Sequence, residues 1–255
     1  MPIPSTLYRY RPISVHTLNE LANNTIWFSS IENFNDPFEF RFKLGFMEWL
    51  KKFQFDTEKK AEKLAPLLDK EGVDENLRAI AKGMVEAKDS NQKSIDEFQI
   101  HEDKIRQSAV DTGVCCLSAI DDSILMWGHY ANCHKGIVLG YDTTDKPFSA
   151  ALPVNYSTEL CQGDLRNDGI ELFIKIYTTK AIEWQYENEF RIVSVGETQI
   201  AKTYPPQSLT SVCFGAKCPE SQQTLVRKIL SPNTNVRFQR ANLDTDQFKI
   251  IITNE

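Results

Sequence analysis

No glycine loop of the kind that cradles a nucleotide occurs in the 255 residues: neither G-x-G-x-x-G nor G-x-x-x-x-G-K-[ST] is present. A Rossmann dehydrogenase and a P-loop NTPase are thereby set aside. Neither a G-x-S-x-G elbow nor an H-E-x-x-H helix appears. There is no C-x-x-C pair, and Cys213 and Cys218 stand without a second pair, so a zinc knuckle is not expected. His129, Cys133 and His134 could share a helix face, but no metal is expected there. No apolar run approaches the ~18–20 residues of a membrane span, and the opening MPIPSTLYRYRP lacks the apolar centre of a secretory signal. A cytoplasmic protein without a membrane partner is the expectation. The six cysteines, two of them adjacent at Cys115 and Cys116, then read as reduced, small buried residues. A basic excess is missing too. The chain carries 29 Lys+Arg against 35 Asp+Glu, a net charge of −6, which argues against a non-specific nucleic-acid coat. There is no internal repeat or low-complexity tract.

What is present is an ordinary globular composition, 41% apolar and 25% charged, long enough to bury about 70% of its unfolded surface. Charge is unevenly spread. Residues 46–110 hold 26 charged side chains in 65 positions, against 38 in the other 190. Apolar residues there recur at spacings of three and four, which predicts two to four amphipathic helices broken at Pro66 and Gly72. Outside that stretch come short β-branched and aromatic runs: Leu7–Tyr10, Thr25–Ser29, Gly113–Ser118, Gly136–Tyr141, Phe173–Tyr177, Glu189–Val195, Ser211–Phe214, Val236–Gln239 and Phe248–Thr253. Thr17-x-x-Glu20 reads as a capping box for a short helix to Ala22, Asp122 as the cap of a helix over Ser123–Asn132, and Pro219–Glu220 as the start of a third. The expectation is one α+β domain over 1–255 with a charge-rich helical insertion at 46–110.

Four strings could carry chemistry. In Leu7-Tyr8-Arg9-Tyr10-Arg11, strand alternation turns Arg9 away from Tyr8 and Tyr10; it could hold a phosphate or ribose, or simply close a salt bridge. Trp27-Phe28-Ser29-Ser30 leads to Asn35-Asp36-Pro37-Phe38-Glu39, a turn former that structure alone explains. Ser118 ends a strand before a helix that sets Trp127 and Tyr130 on one face, suited to stacking on a flat heterocycle or to a core. His129 and His134 are expected to face elsewhere. In Tyr186-Glu187-Asn188-Glu189-Phe190-Arg191, alternation places Glu187, Glu189 and Arg191 on one strand face, as general-base carboxylates or as a solvated Glu–Arg face.

Taken in order from 7 to 191, Tyr8-Arg9-Tyr10, Trp27-Phe28-Ser29, Phe34-Asn35-Asp36-Pro37-Phe38, Met126-Trp127-Gly128-His129-Tyr130-Ala131, His134-Lys135-Gly136 and Tyr186-Glu187-Asn188-Glu189-Phe190-Arg191 resemble a bacterial family known as domain of unknown function 2971. The order of elements also resembles that of ADP-ribosyltransferases, DarT-like enzymes among them. That resemblance implies a mixed, mainly antiparallel split β-sheet core of ADP-ribosyltransferase type with a helical insertion. It further implies NAD as substrate, contacted by Arg9, Tyr10, Ser29, Ser118, Trp127 and Tyr130, with Glu189 catalytic and Glu187 acting on the acceptor nucleophile. Two departures stand out: no clear Ser-Thr-Ser triplet is present, and the 46–110 insertion falls between the second and third strands.

The function so implied is an NAD-dependent mono-ADP-ribosyltransferase, a toxin or phage-defence effector acting on nucleic acid or protein. An antitoxin or chaperone is a candidate partner, and Arg9, Arg11, Arg41 and Lys43 could form a local basic groove. The alternatives are an NAD glycohydrolase or metal-independent nuclease using the same carboxylates, and a non-catalytic nucleotide-binding module. The enzyme readings require Glu189 to face an open cleft with Arg9 and Trp127 or Tyr130 nearby.

Overall fold

The fold was analysed in a computed structural model that describes residues 2–69, 71, 74–163 and 169–255. In chain order the elements are β1 (Thr6–Arg11), α1 (Val15–Asn23), β2 (Thr25–Ser30), β3 (Phe42–Leu44), α2 (Gly45–Leu64), α3 (Glu75–Val110), β4 (Gly113–Ser118), α4 (Ile124–His129), β5 (Ile137–Asp142), β6 (Leu152–Pro153) and β7 (Asn155–Ser157). There follow β8 (Cys161–Gly163), α5 (Gly169–Thr178), β9 (Thr179–Ala181), β10 (Glu189–Ser194), β11 (Ile200–Thr203), β12 (Leu209–Phe214), α6 (Glu220–Leu230), β13 (Arg237–Leu243) and β14 (Ile250–Asn254). The class is α+β. The chain divides into two compact units: Met1–Phe40, Val110–Leu160 and Lys175–Glu255 form the first, Arg41–Ala109 and Cys161–Ile174 the second.

In the first unit, ten strands among the described residues share one sheet, with β11-β2-β4-β1-β5-β12-β13-β14 as its path and β10 and β6 branching from β4. Within this sheet only β12 and β13 run parallel, joined through α6, and the other pairs are antiparallel; β7 and β9 form a separate parallel pair. One face is apolar (Leu7, Leu117, Leu139, Val212, Phe214) and is packed by Leu21 of α1 and Val226 and Leu230 of α6. On the other face Tyr10, Val138 and Cys213 meet Met126, Trp127 and Ala131. Such two-sided burial makes β4 and β5 read as near-continuous apolar runs, whereas β1 alternates Tyr with Arg.

The sheet is split at β4. One edge of β4 pairs with β10 from Glu189↔Ser118 to Ser194↔Gly113. The other edge meets β1 only at Tyr8↔Ser118, and β2 only at Ser29↔Val114 and Ser30↔Gly113. The two neighbours diverge between these points, which opens a cleft over Cys116 and Leu117. Side chains replace part of the missing ladder: Glu20 accepts from Trp27 N at 2.8 Å and Arg9 donates to Trp27 O at 3.2 Å. Buried backbone groups need such partners.

Several local expectations are corrected. Ser14, not Thr17, caps α1, its hydroxyl accepting from Thr17 N, and Glu20 is thereby released to the arginines of β1. Ser123 rather than Asp122 caps α4, which stops at His129 with Tyr130 as its C-cap, and the expected continuation to Asn132 is not helical: Asn132, Cys133 and His134 take left-handed φ values of +48°, +53° and +67°. The strand expected at Phe173–Tyr177 is helix α5; Leu172 and Ile176, four residues apart, are buried, so helical spacing prevails over the alternating look of FIKIY.

The second unit pairs β3 with β8 in parallel and holds α2 and α3. The buried residues Leu50, Gln54, Thr57 and Ala61 form one stripe along α2, and Gln54 donates to Lys88 O of α3 at 3.2 Å. Pro66 lies in a 3-10 turn, while Gly72 falls outside the described residues. Arg41 and Lys43 belong to this unit. No helix among the described residues is long and apolar enough to cross a membrane.

Candidate functional site

A cavity of about 470 Å³ opens in the split of the first unit. The size falls within the range of small-molecule sites. Arg9 and Arg11 of β1 line one part; Lys180, Glu187 and Glu189 line another, with Tyr8, Tyr10, Phe34 and Tyr130 supplying rings. Ser29 and Ser118 are also on its wall.

The carboxylates belong to a buried ion cluster. Lys180 Nζ lies 2.5 Å from Glu187 Oε2, 3.0 Å from Glu189 Oε2 and 3.3 Å from Glu39 Oε1. Arg191 donates from Nε to Glu189 Oε1 at 2.8 Å, from one terminal nitrogen to both Glu39 oxygens at 2.9 Å, and from the other to Tyr177 O at 2.8 Å. Burial alone would raise Glu189, but Arg191 and Lys180 pull its pKa down to about 2. Burial likewise works against charge on Lys180; Glu189, Glu39 and Glu187 outweigh it, and the ammonium is held above its ordinary value. For Glu39 burial wins over Arg191 and Lys180, and the carboxyl is raised. Burial also pushes the thiol of Cys116, on the cavity wall, well above the ordinary range.

Glu187 and Glu189 do not reach this cluster by strand alternation. Glu187 ends a 3-10 turn (Ile182–Glu187), β10 begins at Glu189, and Asn188 between them is left-handed at φ +44°. Asn tolerates that region better than most residues. Ser118 Oγ fastens the turn by donating to Glu187 O at 2.6 Å, and Tyr156 Oη accepts from Glu189 N at 2.8 Å. Tyr130 donates to Glu187 Oε1 at 2.6 Å; burial and that bond raise its pKa. Asn35 in turn donates to Tyr130 Oη at 3.4 Å.

The site residues expected from sequence therefore divide. Glu187, Glu189, Arg9, Tyr10, Ser29, Ser118 and Tyr130 all reach the cavity wall. Trp127 does not: it is fully buried, its indole N–H donates to Asp121 O at 2.7 Å, and its ring packs edge-on against Tyr10 at 5.5 Å. It supports the wall from behind. Arg9 is buried, with Glu20 at 3.2 Å, so its salt bridge is structural as well. Ser118 spends its hydroxyl on the Glu187 carbonyl. His129, expected to face elsewhere, lines the cavity. Lys180, Glu39 and Asn35 were missed: Lys180 sits in a short strand with no motif around it, and Glu39 looked like part of a turn.

The chain thus has an α+β core with a split sheet and a buried five-residue ion cluster at the split. Over residues 126–192 the chain matches a family described as protein of unknown function (DUF2971); of the quoted strings, those at 126–131, 134–136 and 186–191 fall within the match, and those at 8–10, 27–29 and 34–38 lie outside it. That stretch runs from α4 into β10 and carries Tyr130 together with Lys180, Glu187, Glu189 and Arg191, the four members of the ion cluster other than Glu39. No curated protein and no solved structure matches the chain.

Proposed function

We propose that the protein cleaves the nicotinamide–ribose bond of NAD and transfers the ADP-ribosyl group to a nucleic-acid or protein acceptor. The observation carrying this reading is the distribution of charge around the cavity. Arg9 and Arg11 against Glu20 leave one positive charge at one part; Glu39, Glu187 and Glu189 against Lys180 and Arg191 leave one negative charge at the other. NAD is built the same way, with a cationic nicotinamide and an anionic diphosphate.

When the C1′–N bond breaks, its electron pair leaves with nicotinamide, which becomes neutral, and positive charge grows on the ribose, as in glycoside hydrolysis. A fixed carboxylate stabilises that charge in a site of low dielectric. Both Glu189 oxygens are held by Arg191 and Lys180, whereas Glu187 Oε1 is held by one phenol that a ribose hydroxyl can displace. Glu187 accordingly takes the part that the family resemblance gives to Glu189, and Glu189 keeps Lys180 and Arg191 in place. The acceptor's nucleophile bonds to C1′ and gives its proton to Glu187.

Incubation with labelled NAD and either lysate or purified nucleic acid tests the reading: wild type transfers label, and Glu187→Gln does not. Absence of NAD turnover with every acceptor defeats it. A nucleotide-binding module without catalysis is the second reading, favoured by the saturated Glu189. It requires NAD binding with no nicotinamide release.

A further inference from the structure

Glu39 is the one member of the ion cluster that lies outside the family match, and no catalytic role above uses it. It comes from the loop after β2, yet its side chain is 2% exposed and both oxygens lie 2.9 Å from Arg191. Its Oε1 is 3.3 Å from Lys180. The loop is fixed around it: Phe34 and Phe40 flank the Arg191 guanidinium at 5.9 and 5.2 Å, and Asp36 caps Phe38 N at 2.8 Å.

The charge balance of the cluster depends on this residue. Without Glu39, Lys180 and Arg191 would neutralise Glu187 and Glu189 one for one. With it, two cations serve three carboxylates, and the surplus negative charge falls at the cavity wall, where Glu187 is the member with a displaceable partner. A surplus charge in a half-enclosed cavity discriminates between ligands of equal shape and different charge, because it is poorly screened there. Tyr130 and Phe34 add aromatic rings to the cavity lining, a residue type that suits a flat cation.

We propose that Glu39 makes this part of the cavity a subsite that selects a cationic aromatic ring over a neutral one. The choice of a pyridinium rests on the NAD reading; the selection for positive charge does not.

The test measures binding of the N-methylnicotinamide cation and of neutral nicotinamide to wild type and to Glu39→Gln by titration calorimetry. Wild type is expected to favour the cation by about tenfold. In Glu39→Gln that ratio is expected to fall to near one with nicotinamide affinity little changed, an outcome that a merely loosened fold would not give. Equal affinities in wild type, no binding of either ring, or a preference unchanged in Glu39→Gln would overturn the proposal. Should the glutamine variant not fold, Glu39→Asp serves: it keeps the charge and is expected to keep the preference, and its loss in a folded Asp variant counts against the role. Nicotinamide release from NAD is followed alongside. A retained cation preference without NAD turnover sinks the enzyme reading and leaves the subsite standing, whereas turnover without preference does the reverse.

Discussion

Lys180 is ringed by three carboxylates, and Glu187 and Glu189, two residues apart, do different work there. Glu189 accepts from both cations and is pulled down to about 2. Removing its charge takes from Lys180 and Arg191 the one carboxylate whose two oxygens they both hold while buried, so Glu189→Gln is expected to cost about 3–5 kcal/mol in urea unfolding. Because its folded pKa lies below the ordinary 4.5, its contribution to stability is fully present above that pH and drains away as pH falls toward 2. Urea midpoints measured between pH 2 and 6 should show that loss in wild type and its absence in Glu189→Gln. Asn188, left-handed at φ +44°, turns both glutamates inward. Asn188→Val is expected to cost about 1–2 kcal/mol and to lower turnover further than stability alone explains, and Asn188→Gly to be tolerated. The E-x-E string made the carboxylates legible, but Lys180 and Glu39 were not. Their partners lie far away in sequence, and no spacing rule registers an ion pair between positions 39 and 191.

At the scale of elements, the divergence of β1 and β2 along β4 creates the cavity, and α1 secures it through Glu20. The strands came through in the sequence because burial on both faces enriches them in β-branched and aromatic residues. The caps did not, because Ser14 and Thr17 are equally good N-cap types and only the Glu20 contacts decide between them. Ser14→Ala is expected to destabilise the chain by about 1 kcal/mol in denaturant titration while leaving NAD turnover intact; a drop in turnover would mean that the α1 register also sets Arg9. Helix α5 was misread because a five-residue alternation cannot outweigh burial at four-residue spacing.

For the molecule as a whole, an acidic chain without a glycine loop brings Arg9 and Arg11 into one cavity with a carboxylate-rich wall. The charge-dense stretch predicted at 46–110 forms, with Cys161–Ile174, most of a second unit whose inclusion of that later segment no local pattern announced. The central claim is that Glu187 supports cleavage of the nicotinamide–ribose bond in this cavity. Proton NMR of NAD incubated with the protein and acceptor tests it most directly. Free nicotinamide should accumulate with wild type and fall at least a hundredfold with folded Glu187→Gln; the absence of nicotinamide with wild type, or equal release by both proteins, would contradict it.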